Sequence, residues 1–160
     1  MQQRKRAGKG TEIRIVRIKP PDAITLIKAL DAYQASLYPE ESNHLDSPET
    51  LVRSNTVMFG AVEREEIIAM GAVKVLGDYG EIKRLYVSLD HRGKGLAKRI
   101  MTALEKILTD RSVFTARLET GIHQPEAIGL YRALGYRDCG PFGDYLPDPL
   151  SRFMYKRLDG

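Results

Sequence analysis

"EIKRLYVSLDHRGKGLAKRIMTALEKIL", residues 81–108, passes from one kind of periodicity to another within a few residues. Its first part, EIKRLYV (residues 81–87), is extended and rich in strand formers. From Leu96 onward, Ile100, Met101, Leu104, Ile107 and Leu108 recur on one helical face. Between them lies a loop with two glycines, Gly93 and Gly95, among Arg92, Lys94, Lys98 and Arg99. A helix N-terminus carries unpaired N–H groups and partial positive charge, and glycines let an anion approach that backbone closely. Strand, glycines, cations and helix together predict an anion site of the phosphate type. The pattern GxxxxGK[ST] is absent, and GxGxxG followed by an acidic residue about 20 positions later is not met, so the common nucleotide-binding loops are excluded.

Working back toward residue 1, IIAMGAVKVL (67–76) and TVMFGAV (56–62) are apolar runs joined by the charged turn EREE, which predicts a hairpin. Gly77, Asp78, Tyr79 and Gly80 separate that hairpin from the strand opened by Glu81. The stretch SLYPEESNHLDSPETL is polar and turn-rich; it reads as a surface element, with a short helix from about Ser47. Before it, Ile24, Ile27, Leu30, Tyr33 and Leu37 predict a helix with Asp22 as its cap. Alternation in TEIRIVR (11–17) predicts an opening strand.

Toward the other end, FTARLET (114–120) reads as a strand and PEAIGLYRAL (125–134) as a helix that opens with proline. Gly135 ends it, and extended structure resumes at Tyr136. At 160 residues the chain is the size of one α/β domain, able to bury about two-thirds of its unfolded surface. One domain over 11–160 is expected. The net charge of +4 is owed to Arg4, Lys5, Arg6 and Lys9. Residues 1–10 therefore read as a basic, solvated tail rather than a nucleic-acid arm. With no long apolar run and no leader pattern, neither a membrane nor export is expected, and the cytoplasm is the expected compartment. Cys139 stands alone and reads as a small hydrophobe. His44, His91 and His123 are scattered, so no metal site is expected.

Two motifs then fix a resemblance. Arg92, Gly95 and Ala97 match [Q/R]xxGx[G/A], in the form R-G-K-G-L-A, and LYRALGYRDCG (130–140) is very similar to a signature LYxxxGF. On these residues the chain resembles the GNAT superfamily of N-acetyltransferases. The resemblance covers about residues 11–158 and implies an α/β (α+β) fold. In it a central, mixed, mostly antiparallel and twisted sheet of about seven strands is flanked by about four helices.

The resemblance also implies acetyl-CoA as cosubstrate and acetyl transfer to a primary amine in a ternary complex. Arg92, Gly93, Lys94, Gly95, Leu96, Ala97 and Lys98 match the loop that binds the coenzyme pyrophosphate. Leu85, Tyr86 and Val87 match positions whose backbone pairs with pantetheine. Gln124 stands where many members have asparagine. Tyr131 matches the tyrosine that faces the coenzyme sulfur; a phenol with a pKa near 10 is a neutral donor suited to a departing thiolate. Glu81 matches a glutamate that serves some members as general base. Six strand steps, roughly 20 Å, separate it from Val87 and so from the loop. A homodimer formed through sheet edges is implied as well.

The acceptor is expected to be a small-molecule amine or amino acid. Asp144, Tyr145, Asp148, Glu40, Glu41 and His44 are candidates to face it, and Lys83 and Arg84 would favour an acidic one. The last third resembles small bacterial members of the family, some labelled for indole-acetate or small amino compounds. Acetylation of peptides or proteins, and an acyl-CoA sensor without turnover, are the alternatives.

Overall fold

The computed structural model describes residues 12–42 and 55–159. The basic tail, His44 and the short helix expected from Ser47 lie outside them. In chain order come β1 (Ile13–Ile18), α1 (Ile24–Leu37), β2 (Thr56–Glu63), β3 (Glu66–Leu76), β4 (Tyr79–Val87), α2 (Leu96–Asp110), β5 (Thr115–Gly121), α3 (Pro125–Ala133), β6 (Arg137–Cys139) and β7 (Ser151–Arg157). All seven strands form one sheet in the order β1-β2-β3-β4-β5-β7-β6.

Side-chain alternation along the strands divides the core between two faces of the sheet. On one face Ile100, Met101, Leu104 and Leu108 of α2 meet Val57, Ala61, Ile68, Val73 and Ile82. On the other, Leu26, Ile27 and Leu30 of α1 meet Met58, Met70 and Ala72. Each fully buried leucine or isoleucine contributes about 2 kcal/mol, so these faces anchor both helices. Gly71 is what lets α2 lie so close, because a Cβ there would come within 2.7 Å of Ile100.

Several local expectations are corrected. Asp22 accepts a hydrogen bond from the Lys19 amide at 2.9 Å and so caps the start of the 3-10 turn Pro20–Ala23, not α1. Ile24 and Tyr33 are exposed, while Leu26 is buried, so the inward stripe of α1 is turned from the one read off the sequence. The β2–β3 turn takes two residues rather than four. Arg64 and Glu65 both have positive φ, as a tight hairpin whose twist matches its strands requires. Tyr38 is core, 6% exposed, not surface. Cys139 is only half-buried.

The pairing that positions the site is between β4 and β5, the one parallel pair among the described residues. It covers Gly80 with Ala116, Glu81 with Arg117 and Ile82 with Leu118, and then stops. Beyond Ile82 the two strands part, and residues 83–87 run on with β3 as their strand partner on one edge. No helix among the described residues is long and apolar enough to cross a membrane.

Candidate active site

The parting of β4 and β5 leaves a wedge, and two adjoining hollows lie along it. The larger, about 430 Å³, runs along Leu85, Tyr86 and Val87 to the glycine loop and is closed by Ala127, Leu130 and Tyr131 of α3. The smaller, about 80 Å³, lies between α1 and the wedge, lined by Gln34, Tyr38, Lys83, Arg84 and Glu119. Leu30, Leu85, Gln124, Ala127 and Tyr131 line both.

At the loop, Gly93 and Gly95 have φ of 81° and 74°, a region that disfavours any side chain. Gly95 is the N-cap of α2, with no side-chain cap bond and no acid in the first turn. The first N–H groups of a 15-residue helix therefore point at the cavity mouth with their charge uncancelled. The Arg92 guanidinium donates to the Val87 carbonyl at 3.1 Å and stacks over the Tyr86 ring. Of the residues expected around the coenzyme, Leu85, Tyr86, Val87, Arg92, Gly93, Gly95, Leu96, Ala97, Lys98 and Gln124 line the large cavity. Lys94 is exposed and does not. A long apolar cleft ending in free helix N–H groups and cations fits an extended acyl carrier with a diphosphate at one end.

Tyr131 is buried at the junction of the two hollows, its ring edge-on to Tyr136. Burial, with a smaller push from Glu119, holds its hydroxyl well above the ordinary phenol range, so it keeps its proton at neutral pH. The hydroxyl makes no hydrogen bond among the described residues. Behind it, Tyr136 donates to Glu105 at 2.9 Å, and Lys156 donates to the same carboxylate, which fixes the back of the pair.

Glu81 sits in the paired part of β4, 5% exposed. Its carboxylate accepts from the Tyr145 hydroxyl and from Lys83 Nζ at 3.3 Å, and it lines neither hollow. Glu119, which sequence reasoning missed, does line the smaller one, and Ser151 Oγ donates to it at 2.8 Å. The signal was the alternation ARLETG, which puts Arg117, Glu119 and Gly121 on one face. What hid it was the parallel register between strands offset by 36 residues, which sets Arg117 beside Glu81 and so carries Glu119 into the wedge. Tyr38 was also missed. Its hydroxyl donates to Gln124 Oε1 at 3.2 Å and accepts from the His123 amide at 3.1 Å, while Gln34 Nε2 donates to the same Gln124 oxygen. With its carbonyl held twice, Gln124 turns its NH₂ group away from these partners.

The profile of the Acetyltransferase (GNAT) family matches residues 25–136, a span that contains the wedge, the loop and Tyr131. The chain belongs to the GNAT acetyltransferase family. Its sequence is 39% identical over 150 residues to an IAA acetyltransferase of Azospirillum brasilense, covering 91% of this chain and 98% of that one. This GNAT enzyme also superposes on an acyl-CoA N-acyltransferase from Klebsiella pneumoniae with a TM-score of 0.77 and 37% identity, over 91% and 97% of the two chains. A Thermoplasma acidophilum PaiA N-acetyltransferase solved with coenzyme A shares the fold, with a TM-score of 0.69 at 19% identity and coverage of 91% and 99%. As a member of this family, the protein is an acyltransferase with a mostly antiparallel seven-stranded sheet; three α-helices lie among its described residues.

Proposed function

We propose that this enzyme moves an acetyl group from acetyl-CoA to the primary amine of a small molecule or amino acid, by direct attack with both substrates bound. The observation that carries the reading is Tyr131, a buried phenol with an unengaged hydroxyl where a long apolar cleft meets a small polar recess. Bound acetyl-CoA supplies an acetyl group activated as a thioester. The N–H groups opening α2, with Arg92 and Lys98, hold its diphosphate. The open edge of β4 at Leu85, Tyr86 and Val87 pairs with the amides of the pantetheine arm in the manner of an added strand. Gln124, its carbonyl fixed by Tyr38 and Gln34, offers its NH₂ group to the same arm.

The amine arrives as an ammonium ion of pKa about 10.4 and must lose a proton before attack. Of the two carboxylates, the half-buried Glu119 lines the recess and the buried Glu81 does not, so Glu119 takes that proton. Glu81 holds Lys83 and Tyr145 in place. As the nitrogen–carbon bond forms and the carbon–sulfur bond breaks, Tyr131 gives its proton to the departing sulfur. A nitrogen-linked acetyl product and free coenzyme A result. The name of the Azospirillum relative supports a small acceptor.

The test is incubation with isotopically labelled acetyl-CoA and a panel of small amines, amino acids and short peptides, read by mass spectrometry. Small acceptors gaining one labelled acetyl group would support the reading. Label only on peptides, or none on any acceptor, would contradict it.

A further inference from the structure

On top of that reading, we infer that Arg84 anchors a carboxylate in the recess, and that the acceptor is an amine carrying a carboxylate one amino-acid length from its nitrogen. The argument begins with the backbone. Across β3 and β4, Met70 pairs with Tyr86 but Ala72 pairs with Lys83, so Arg84 and Leu85 together oppose Gly71 alone. This is a β-bulge, and Arg84 occupies its left-handed position at φ 60°. Glycine is the residue that this position favours, and an arginine there strains the backbone. A chain that needed only the turn would place glycine here.

The side chain gives the strain a use. It is 2% exposed, a buried cation in the wall of the recess, and its Nη1 donates to Asp31 Oδ1 of α1 at 2.6 Å. Asp31 is 47% exposed, so this pair holds the guanidinium in place from the solvent side. A guanidinium has five donors in a planar fork and can serve a second carboxylate beside the first. The neighbouring cation, Lys83, is engaged by Glu81 and Tyr145. Across the recess, on β5, stands Glu119. A recess of about 80 Å³ therefore offers a cation on one wall and a carboxylate on the other, with Tyr131 between the recess and the cleft. That pattern complements the zwitterionic head of an amino acid.

The experiment compares matched acceptors on the wild-type enzyme: amino acids, their carboxamides and the amines that lack the carboxyl group, with acetyl-CoA binding measured in parallel. The carboxylate member should lead in kcat/KM by roughly 10- to 100-fold, the scale of a charge-assisted hydrogen bond. Arg84→Met should bring that ratio close to one with acetyl-CoA affinity unchanged, and Arg84→Lys should keep part of it. If Arg84 only braced α1, every acceptor would fall by the same factor in both variants, and the inference would be wrong. Wild-type enzyme that acetylates the carboxamide or the plain amine as well as the acid overturns the inference alone. Acetyl-CoA binding with no acceptor acetylated overturns both the inference and the proposed function.

Discussion

Gly95 at the mouth of the cleft and Arg84 at the recess both have left-handed φ, and they solve opposite problems. Gly95 is exposed, and a Cβ added to it would meet nothing within 4 Å, so its value lies in what the backbone can do there: present N–H groups to an anion. Arg84 is buried, and its value lies in the side chain that the strained backbone places. In the proposed reading the cofactor end of the wedge relies chiefly on main chain, with Arg92, Lys98 and Gln124 in support, and the acceptor end on side chains drawn from α1, β4, β5 and α3. A backbone site suits a cosubstrate shared by many enzymes. A side-chain site suits an acceptor that differs from one enzyme to the next.

The strongest way to break this comparison is at the junction. Tyr131→Phe should lower kcat by about 10²- to 10⁴-fold, the range for general acid–base catalysis, while acetyl-CoA affinity stays within about twofold. Steady-state kinetics with a calorimetric titration would show both. A loss of affinity equal to the loss of kcat would move Tyr131 from the chemistry into the cofactor site. Next in size is the choice between carboxylates. Glu119→Gln should cost about 100-fold in kcat/KM for the amine, and Glu81→Gln clearly less. The reverse order would return the base to the paired part of β4.

Smaller effects test the walls. The Tyr38 hydroxyl lies where a Cβ on Gly121 would stand, 1.8 Å away. Gly121→Ala should therefore destabilise the fold by about 1–3 kcal/mol. It should also raise KM for the amine more than for acetyl-CoA, because Tyr38 lines the recess and not the cleft. Denaturant titration and kinetics read the two parts. The smallest effect is in alkali. Burial raises both the Tyr131 and the Tyr136 hydroxyls, with Glu119 adding to the first and Glu105 to the second. Below pH 10 these phenols are protonated folded or unfolded, and their contribution is complete. Above pH 10 the unfolded chain ionises first, so stability falls as pH rises. The melting temperature should drop above pH 10, and less steeply in Tyr136→Phe.

How much of this was legible in the sequence follows the same division. The loop and the helix it opens are local, so Arg92, Gly93 and Gly95 declared themselves through spacing alone. The signature around Tyr131 is local too. Glu119 and Tyr38 were not legible, because their positions depend on a parallel pairing between β4 and β5 and on α1 crossing to Gln124. Arg84 was read as a cation that would favour an acidic acceptor, but its burial at a bulge depends on the β3 register. Tyr38 misled because the turn-forming Pro39 and the charged Glu40 and Glu41 follow it, although its own ring stacks on His123.

The measurement that bears most directly on the account is a calorimetric titration of wild type and Gly95→Glu with acetyl-CoA. A carboxylate at the N-cap of α2 repels the diphosphate and blocks the N–H groups that hold it. Saturable binding by wild type, weakened in the variant by at least about 100-fold as two charge-assisted hydrogen bonds are lost, is the predicted result. Equal affinity in a folded variant would contradict the assignment of the backbone end of the wedge to the cosubstrate.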